Sequence, residues 1–154
     1  MNRDIEKLIP TLRSLDIPLL CYNPLAGGLL SGKYSFDQTV SAGRFWENPA
    51  YQGRYWKKDT FQALEMIDKS CKEHGITVLN AAFSWLIHHS MLDAEKGDGI
   101  VLGCSSIQQL EQNLAGTLKS TELPPELVET IERAWPLCLA TAFEYFRGYS
   151  KQEE

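Results

Sequence analysis

Two short apolar runs, each followed at once by a segment rich in turn or capping residues, constrain the fold more than any other feature. The first run, IPLLCY, ends before Asn23-Pro24, and the second, GIVLGC, follows the turn signal Gly97-Asp98-Gly99 and leads into SSIQQLEQNL. Apolar runs of this length between turn residues are typical of strands buried on both faces, as in a parallel sheet. We therefore predict two parallel strands, with a loop at the carboxyl end of each.

Most of the remaining chain has helical periodicity. Apolar residues recur at three- and four-residue steps in DIEKLIPTLRSL, in FQALEMIDKSC, in VLNAAFSWLIHHS and after the prolines at 124–125. Ser105 or Ser106 can cap the helix after the second run, and Gln108 or Gln109 can complete a capping box. The order helix, strand, long loop, two helices, strand, helix, helix predicts a helix-rich α/β fold.

The composition favours a globular domain without nucleic-acid or membrane partners. The 154 residues carry a formal charge of −5, with acidic and basic side chains interspersed, which argues against a surface for nucleic acid or anionic lipid. The longest apolar runs are far shorter than the ~20 residues of a membrane helix, and the N-terminal segment has no signal-peptide core. We predict one cytoplasmic domain over residues 1–154, with 148–154 as a frayed tail.

Neither a metal site nor a disulfide framework is indicated. The four cysteines, at positions 21, 71, 104 and 138, are widely spaced and form no C-x-x-C pair, and only His88 and His89 are adjacent histidines. Cysteines outside such patterns usually behave as small buried apolar residues. We predict no metal ion, and a structural or solvated role for both histidines.

Residues 35–56 form a long segment without a steady period. Between residues 44 and 56, glycine, proline and polar residues alternate with two arginines and five aromatic residues: Arg44, Phe45, Trp46, Tyr51, Arg54, Tyr55 and Trp56. A connection of this length is uncommon in a compact domain unless it is functional or disordered, and its aromatic content argues against disorder. We predict an irregular loop that covers a ligand and adds little to the core; the alternative is a surface flap packed on its own side chains.

The loops after the two apolar runs carry residues suited to phosphate binding. In the first loop, Gly27 and Gly28 would let the backbone approach a phosphate, while Ser31 and Lys33 supply a donor and a positive charge. In the second, the unpaired amides of a helix N-terminus attract anions. Each signal alone is common, but both follow predicted parallel strands, at whose carboxyl ends ligands bind in α/β folds.

Four motifs, YNPLAGGLLSGKY, GRFW, Y-x-x-R-Y-W and LGCSSIQQLEQNL, closely resemble the C-terminal part of aldo-keto reductases, in particular the aflatoxin-aldehyde-reductase-like branch. The resemblance runs from about residue 4 to Arg147. It implies a partial (β/α) TIM barrel with about two parallel strands, NADP(H) as the cofactor and a small-molecule carbonyl substrate. Since a complete barrel takes ~250 residues, we expect the fold to be completed by oligomerisation.

The same resemblance implies three groups of site residues. The pyrophosphate and nicotinamide side of the cofactor would contact Asn23, Pro24, Leu25, Ala26, Gly27, Gly28, Leu29, Leu30, Ser31, Gly32 and Lys33. The adenosine and 2′-phosphate end would contact Arg44, Ser105, Ser106, Gln109 and Asn113, and the substrate side would be lined by Tyr51, Arg54 and Arg147. Many members place a lysine and an arginine where Cys104 and Gln109 stand here, so a preference for NADPH would depend mainly on Arg44.

Three functions are compatible with these patterns. The family's catalytic Asp, Tyr, Lys and His come from earlier strands of the barrel, and Tyr22 and His88 match other parts of the pattern, so no catalytic residue is assigned. The first hypothesis is an aldo-keto-reductase-like protein with weak or vestigial NADP(H) binding that acts on a carbonyl or polyphenolic compound, with weak or absent reductase activity of its own. The second is a non-redox biosynthetic enzyme (isomerase, dehydratase or cyclase) using the remodelled pocket of a dimer. The third is an inactive binding or scaffold module.

The two predicted strands also bear on the partners. Two strands do not form a free-standing sheet, and open strand edges with an apolar inner face are poorly tolerated in water. We therefore expect a homo-oligomer, or a separate chain that supplies the missing half of the barrel.

Overall fold

Six helices and two short strands make up the part of the chain that a computed structural model describes, residues 5–143 without the side chain of Glu6. In chain order they are α1 (Ile5–Ser14), β1 (Leu20–Tyr22), α2 (Pro49–Tyr55), α3 (Lys58–Glu73), α4 (Val78–His88), β2 (Gly99–Val101), α5 (Ile107–Leu118) and α6 (Pro125–Leu139). Two 3₁₀ turns lie at Ala26–Ser31 and Ala94–Lys96. The fold is helix-rich α/β, as predicted.

The two strands pair in parallel, in the register Leu20↔Gly99 through Tyr22↔Val101. Parallel pairing brings both carboxyl ends to the same edge, so the loops after Tyr22 and Val101 leave the sheet side by side. The prediction of two parallel strands is therefore confirmed, although each strand has only three residues.

The prediction that the strands are buried on both faces is wrong for the described chain. Leu20 is 62% exposed and Val101 is 47% exposed, and Tyr22 is exposed as well. The helices pack mainly against one another, α3 against α6 and α4 against α5, so they leave these side chains of the short strands uncovered.

The core lies among the helices and the segment that joins β1 to α3. Its largest cluster includes Leu29, Phe45, Tyr55, Phe61, Leu64, Cys71, Val78, Ala81, Leu123 and Leu127. A smaller cluster of Ala63, Ala134 and Cys138 fills the contact between α3 and α6. Gly116 brings α5 close to α4, because a Cβ there would lie 2.9 Å from side-chain atoms of Leu79 and Phe83.

The prediction of an irregular loop over 35–56 with little core is wrong in two respects. The segment contains α2, which begins at Pro49 after Asn48, whose side chain accepts a hydrogen bond from the Tyr51 amide; Asn followed by Pro is a helix-start signal. Phe45 is completely buried, and Tyr55 is buried as well. The physical reason is that the aromatic rings pack edge to face, with Phe45 to Trp56 centroids 5.2 Å apart, and such rings bury large apolar areas.

Cysteines and histidines mostly take the structural roles predicted for them. Cys71 and Cys138 are buried, and burial raises the pKa of Cys71 to about 11. Cys104 is exposed, so the expectation of burial is wrong there, because its short turn between β2 and α5 lies outside the helix contacts. His88 Nε2 is hydrogen-bonded to Ser120 Oγ at 3.1 Å, and His89 Nε2 accepts from the Leu123 amide at 2.9 Å.

The described residues contain neither a helix that could cross a membrane nor a cluster of metal-ligating side chains. None of the helices within residues 5–143 is long and apolar enough to cross a membrane. Within the same residues, no group of three or more His, Cys, Asp or Glu side chains is arranged to hold a metal ion.

The buried carboxylate of Asp98 joins the amino ends of the two strands. It accepts hydrogen bonds from both terminal nitrogens of Arg13, from the Leu19 amide at 2.7 Å and from the Asp93 amide at 2.9 Å. Arg13 lies in the last turn of α1 and also donates to the Met91 carbonyl at 3.2 Å. The guanidinium holds the pKa of Asp98 well below its usual range, against the opposing effect of burial.

We predict that Asp98→Asn lowers the free energy of unfolding at pH 7 by about 2–3 kcal/mol, the range for hydrogen bonds to a charged group. The amide can replace one acceptor, but its NH₂ group then faces donors from Arg13 or Asp93. Chemical denaturation measures the change. The control is Asp68→Asn, which removes an exposed pair with Lys72 and should cost less than ~1 kcal/mol.

The pH dependence of the stability difference between wild type and Asp98→Asn tests the charge of Asp98. Because folding lowers this pKa, its stabilising contribution is fully present above the ordinary aspartate pKa of about 4 and is lost as pH falls towards the folded-state value. The gap between wild type and Asp98→Asn should therefore narrow below about pH 4. A gap that is constant from pH 7 to pH 3 would contradict an ionised Asp98.

Candidate functional site

The turn after β1 is shaped by backbone conformations that few residues adopt. Asn23 has φ +58°, and Gly27 and Gly28 have φ +73° and +97°, a region that glycine enters at little cost and asparagine more readily than most residues. The Asn23 side chain spans the turn, because its Oδ1 accepts a hydrogen bond from the Gly27 amide at 2.8 Å. A single side chain thus fixes the path of the loop as it leaves the strand.

The two adjacent glycines have different surroundings. A Cβ at Gly27 would lie 2.9 Å from Cδ1 of Tyr51 and 3.4 Å from Cζ of Phe45, whereas a Cβ at Gly28 would have no neighbour within 4 Å. Gly27 is therefore required by close packing on Tyr51. The space beside Gly28 is open to a ligand.

Some groups that the sequence assigned to the cofactor are used within the protein. Ser31 Oγ donates to the Gly28 carbonyl at 2.6 Å, and the Gly28 amide donates to the Leu25 carbonyl at 2.9 Å. The side chains of Ala26 and Leu29 are buried in the core. The turn can therefore meet a ligand mainly through its open backbone surface at Gly28 and through neighbouring cationic side chains.

Three cationic side chains lie beside the turn. The guanidinium carbons of Arg44 and Arg54 lie 5.1 and 5.3 Å from the centre of the Tyr51 ring, and Lys33 Nζ lies 4.9 Å from the centre of the Tyr34 ring. Within residues 5–143, neither arginine forms an ion pair with a carboxylate. Two like charges against one ring, without a carboxylate partner in the described chain, create a region that attracts anions.

The start of α5 forms the second part of the site. Ser106 Oγ accepts from the Gln109 amide at 3.2 Å, and Gln109 Oε1 accepts from both the amide and the hydroxyl of Ser105 at 3.0 Å. This is the predicted capping box, extended back by one residue. Asn113 is buried and donates to the Gly103 carbonyl at 3.2 Å, so its side chain holds the turn between β2 and α5.

The structure joins most of the predicted residues at one edge of the sheet. The 23–33 turn, Tyr51 and the arginines at 44 and 54 form a contiguous group, because Tyr51 packs on Gly27 and both guanidinium groups lie against Tyr51. The Ser105–Gln109 group is related to them through the parallel strands rather than by a direct hydrogen bond among the described residues. Arg147 lies outside the described residues.

Sequence reasoning gave Tyr55 no part in the cofactor site, although the structure connects it to the turn. Its hydroxyl accepts a hydrogen bond from Asn23 Nδ2 at 2.7 Å, and burial raises the pKa of Tyr55 to about 12. The phenol is therefore protonated at neutral pH. The available signal was the four-residue spacing of Tyr51 and Tyr55, which places both on one face once α2 is recognised as a helix.

The chain matches one protein family along most of its length. Residues 1–136 match the model of the aldo/keto reductase family. Similar curated proteins include aflatoxin B1 aldehyde reductase member 2 of Mus musculus, 38% identical over 157 residues that cover 95% of this chain and 42% of the relative. The same-named protein of Homo sapiens is 40% identical with 95% and 44% coverage, and an aldo-keto reductase of Pseudocercospora fijiensis is 39% identical with 95% and 51% coverage. The chain thus spans about half the length of these relatives.

The paired glycines give a test of the turn. Both substitutions to alanine place a Cβ at positive φ, which costs about 1–2 kcal/mol, but only Gly27→Ala also meets the Tyr51 ring. We expect Gly27→Ala to destabilise the fold by about 1–3 kcal/mol more than Gly28→Ala. Thermal unfolding of the two variants measures this difference, and equal melting temperatures would show that Tyr51 does not pack on Gly27 as described.

Proposed function

Because the chain belongs to the aldo/keto reductase family, we propose that it binds NADP(H) between the 23–33 turn and the start of α5, as part of a protein that acts on small-molecule carbonyl or polyphenolic compounds. The observation that carries the proposal is the parallel pairing of β1 and β2, which brings both loops to one edge. Ligands bind at such edges in parallel α/β folds.

The groups beside this edge suit a dinucleotide. The open surface at Gly28 permits close approach of a pyrophosphate, and Lys33 and Arg44 supply positive charge within the same region. At the start of α5, the first amides and the helix dipole favour a further phosphate. We propose that Arg44 binds the 2′-phosphate, since one guanidinium group can donate two parallel hydrogen bonds to phosphate oxygens.

Tyr51 and Arg54 would line the substrate side of the same region. Their ring and guanidinium are in contact, and Arg54 is partly exposed, so both can reach a polar small molecule. When bound, the nicotinamide cofactor supplies the hydride, while a protein acid must donate a proton to the carbonyl oxygen. A well-placed acid contributes ~10²- to 10⁴-fold in rate. Because we assign no such acid to the described residues, we propose that this chain alone reduces aldehydes near the background rate.

Titration calorimetry with NADPH and NADH tests the cofactor proposal. We expect a weak NADPH dissociation constant, in the range of ~10 μM to millimolar, because the described turn uses several of its own donors internally. Arg44→Gln should weaken NADPH binding by about 3- to 10-fold, as expected for the loss of ~1 kcal/mol, and should change NADH binding little.

The matched control is Arg133→Gln. Arg133 lies on α6 near Glu129, on a helix that does not contribute to the sheet edge, so its loss should leave NADPH binding unchanged. Absence of NADPH binding to the wild type would refute the proposal. An equal loss of affinity in both arginine variants would show non-specific attraction to positive charge instead.

We also propose that the protein self-associates through exposed apolar side chains of α5 and of the two strands. On α5, Ile107, Leu110, Leu114 and Leu118 are exposed at helical spacing, and on the strands Leu20, Tyr22 and Val101 are exposed. Apolar stripes of this kind usually mark interaction surfaces. A second copy of the chain is our proposed occupant, and a separate chain that supplies the rest of a barrel is the alternative.

Sedimentation velocity tests the association. We expect a dimer or larger species at micromolar concentration, and a shift towards monomer in Leu114→Lys, which places a charge in the stripe. Gln112→Lys is the control, because this exposed position on α5 lies outside the stripe. A folded, stable wild-type monomer would contradict self-association, and assembly only after addition of an N-terminal barrel segment would identify the separate chain as the occupant.

A further inference from the structure

We infer that Tyr55 is a positioning residue for the dinucleotide turn, acting through Asn23. The inference rests on the proposed function for its effect on the cofactor, while the contact itself is a property of the ligand-free chain. Tyr55 lies on α2, thirty-two positions away from Asn23, and its hydroxyl is 2.7 Å from the Asn23 side-chain nitrogen.

Both polar atoms of the Asn23 side-chain amide form hydrogen bonds within the protein. Its oxygen accepts from the Gly27 amide at 2.8 Å, and its nitrogen donates to the Tyr55 hydroxyl. Asn23 itself has φ +58°, a conformation that costs free energy for any residue with a side chain and persists only when its surroundings hold it. The bond to Tyr55 therefore stabilises the backbone conformation from which the turn starts.

Packing of the surrounding rings holds the Tyr55 hydroxyl in a defined position. Tyr55 as a whole is 5% exposed, and its ring packs against Phe45, Tyr51 and Phe143 with centroids 6.4, 6.0 and 5.5 Å away. Burial of this kind restricts the ring to one rotamer. A hydrogen bond to such a group restrains Asn23 more than a bond to an exposed side chain or to water would.

Helix α2 thus supports the turn at two points. Tyr51 packs under Gly27, and Tyr55, one helical turn later, holds Asn23. A turn held in advance loses less conformational entropy when a ligand binds. Tyr55 therefore preorganises the open surface at Gly28 and does not itself contact the cofactor.

The first experiment uses Tyr55→Phe, which retains the ring and removes the hydroxyl. NADPH affinity by calorimetry should fall about 3- to 10-fold, as expected for one hydrogen bond of ~1 kcal/mol. Tyr34→Phe is the matched control. Tyr34 packs on the same Phe45 ring, with centroids 5.3 Å apart, but has no hydrogen bond to Asn23. The NADPH affinity of this variant should differ from that of the wild type by less than twofold.

A double-mutant cycle separates action through Asn23 from a general loss of structure. Asn23→Ala should weaken NADPH binding, and Tyr55→Phe should add nothing in the Asn23→Ala background, because the contact is already absent. Additive losses would overturn the inference. Wild-type affinity retained in Tyr55→Phe would overturn it as well, and would leave the proposed cofactor site intact.

Hydrogen exchange of the Gly27 amide in the ligand-free protein makes the test independent of the cofactor. We expect this amide to exchange about 3- to 10-fold faster in Tyr55→Phe than in the wild type, and at the wild-type rate in Tyr34→Phe. If the wild type does not bind NADPH, the proposed function fails and this measurement alone decides the role of Tyr55. Unchanged exchange in Tyr55→Phe would then overturn that role.

Discussion

The parallel register of β1 and β2 is the constraint on which the rest of the structure depends. At the amino ends of the strands, the Asp98 carboxylate binds Arg13 and the amides of Leu19 and Asp93, and so joins α1 and both strands. Hydrogen bonds to a buried carboxylate are strong and directional, so the Asp98 side chain fixes the positions of its donors. Within residues 5–143, no ion pair joins the carboxyl ends of the strands in this way, and there the chain continues into the glycine turn and towards the start of α5. In (β/α) barrels, residues that stabilise the fold and loops that bind ligands generally lie at opposite ends of the strands, and our proposal places the cofactor in accordance with that division.

Much of the fold follows from local sequence, and the exceptions share one cause. The strands, the caps at Thr77 and Ser106 and the start of α6 each have short-range signals. The role of Asp98 has none, because its partners lie up to 85 positions away along the chain. The same holds for the segment that contains α2. Its sequence alone predicts an irregular loop, and only the tertiary structure places Phe45 and Tyr55 in the core. Exposure of the strands also depends on what covers them, which local patterns do not encode.

The candidate site shows the same division between local and distant information. The glycine pair was recognisable from sequence, but its two members differ only because the Tyr51 ring lies against Gly27 and leaves Gly28 open. Ser31 was predicted as a phosphate donor by residue type, whereas its hydroxyl donates to the Gly28 carbonyl. Arg44, assigned to the 2′-phosphate end of the cofactor, and Arg54, assigned to the substrate side, lie against one ring. Residue type therefore indicated a candidate region, and the tertiary contacts determine which of its polar atoms already have partners within the chain.

The most direct test of the account is a map of amide chemical shifts during titration of the full chain with NADPH. Binding across the shared edge predicts that the amides of Gly28 and Ser106 shift together at the same ligand concentrations, since both loops contact one molecule. Amides along the groove between α3 and α6, including Ser70 and Arg133, should not move. Shifts confined to one of the two loops, or located mainly in the α3–α6 groove, would contradict a dinucleotide site built on the parallel strands.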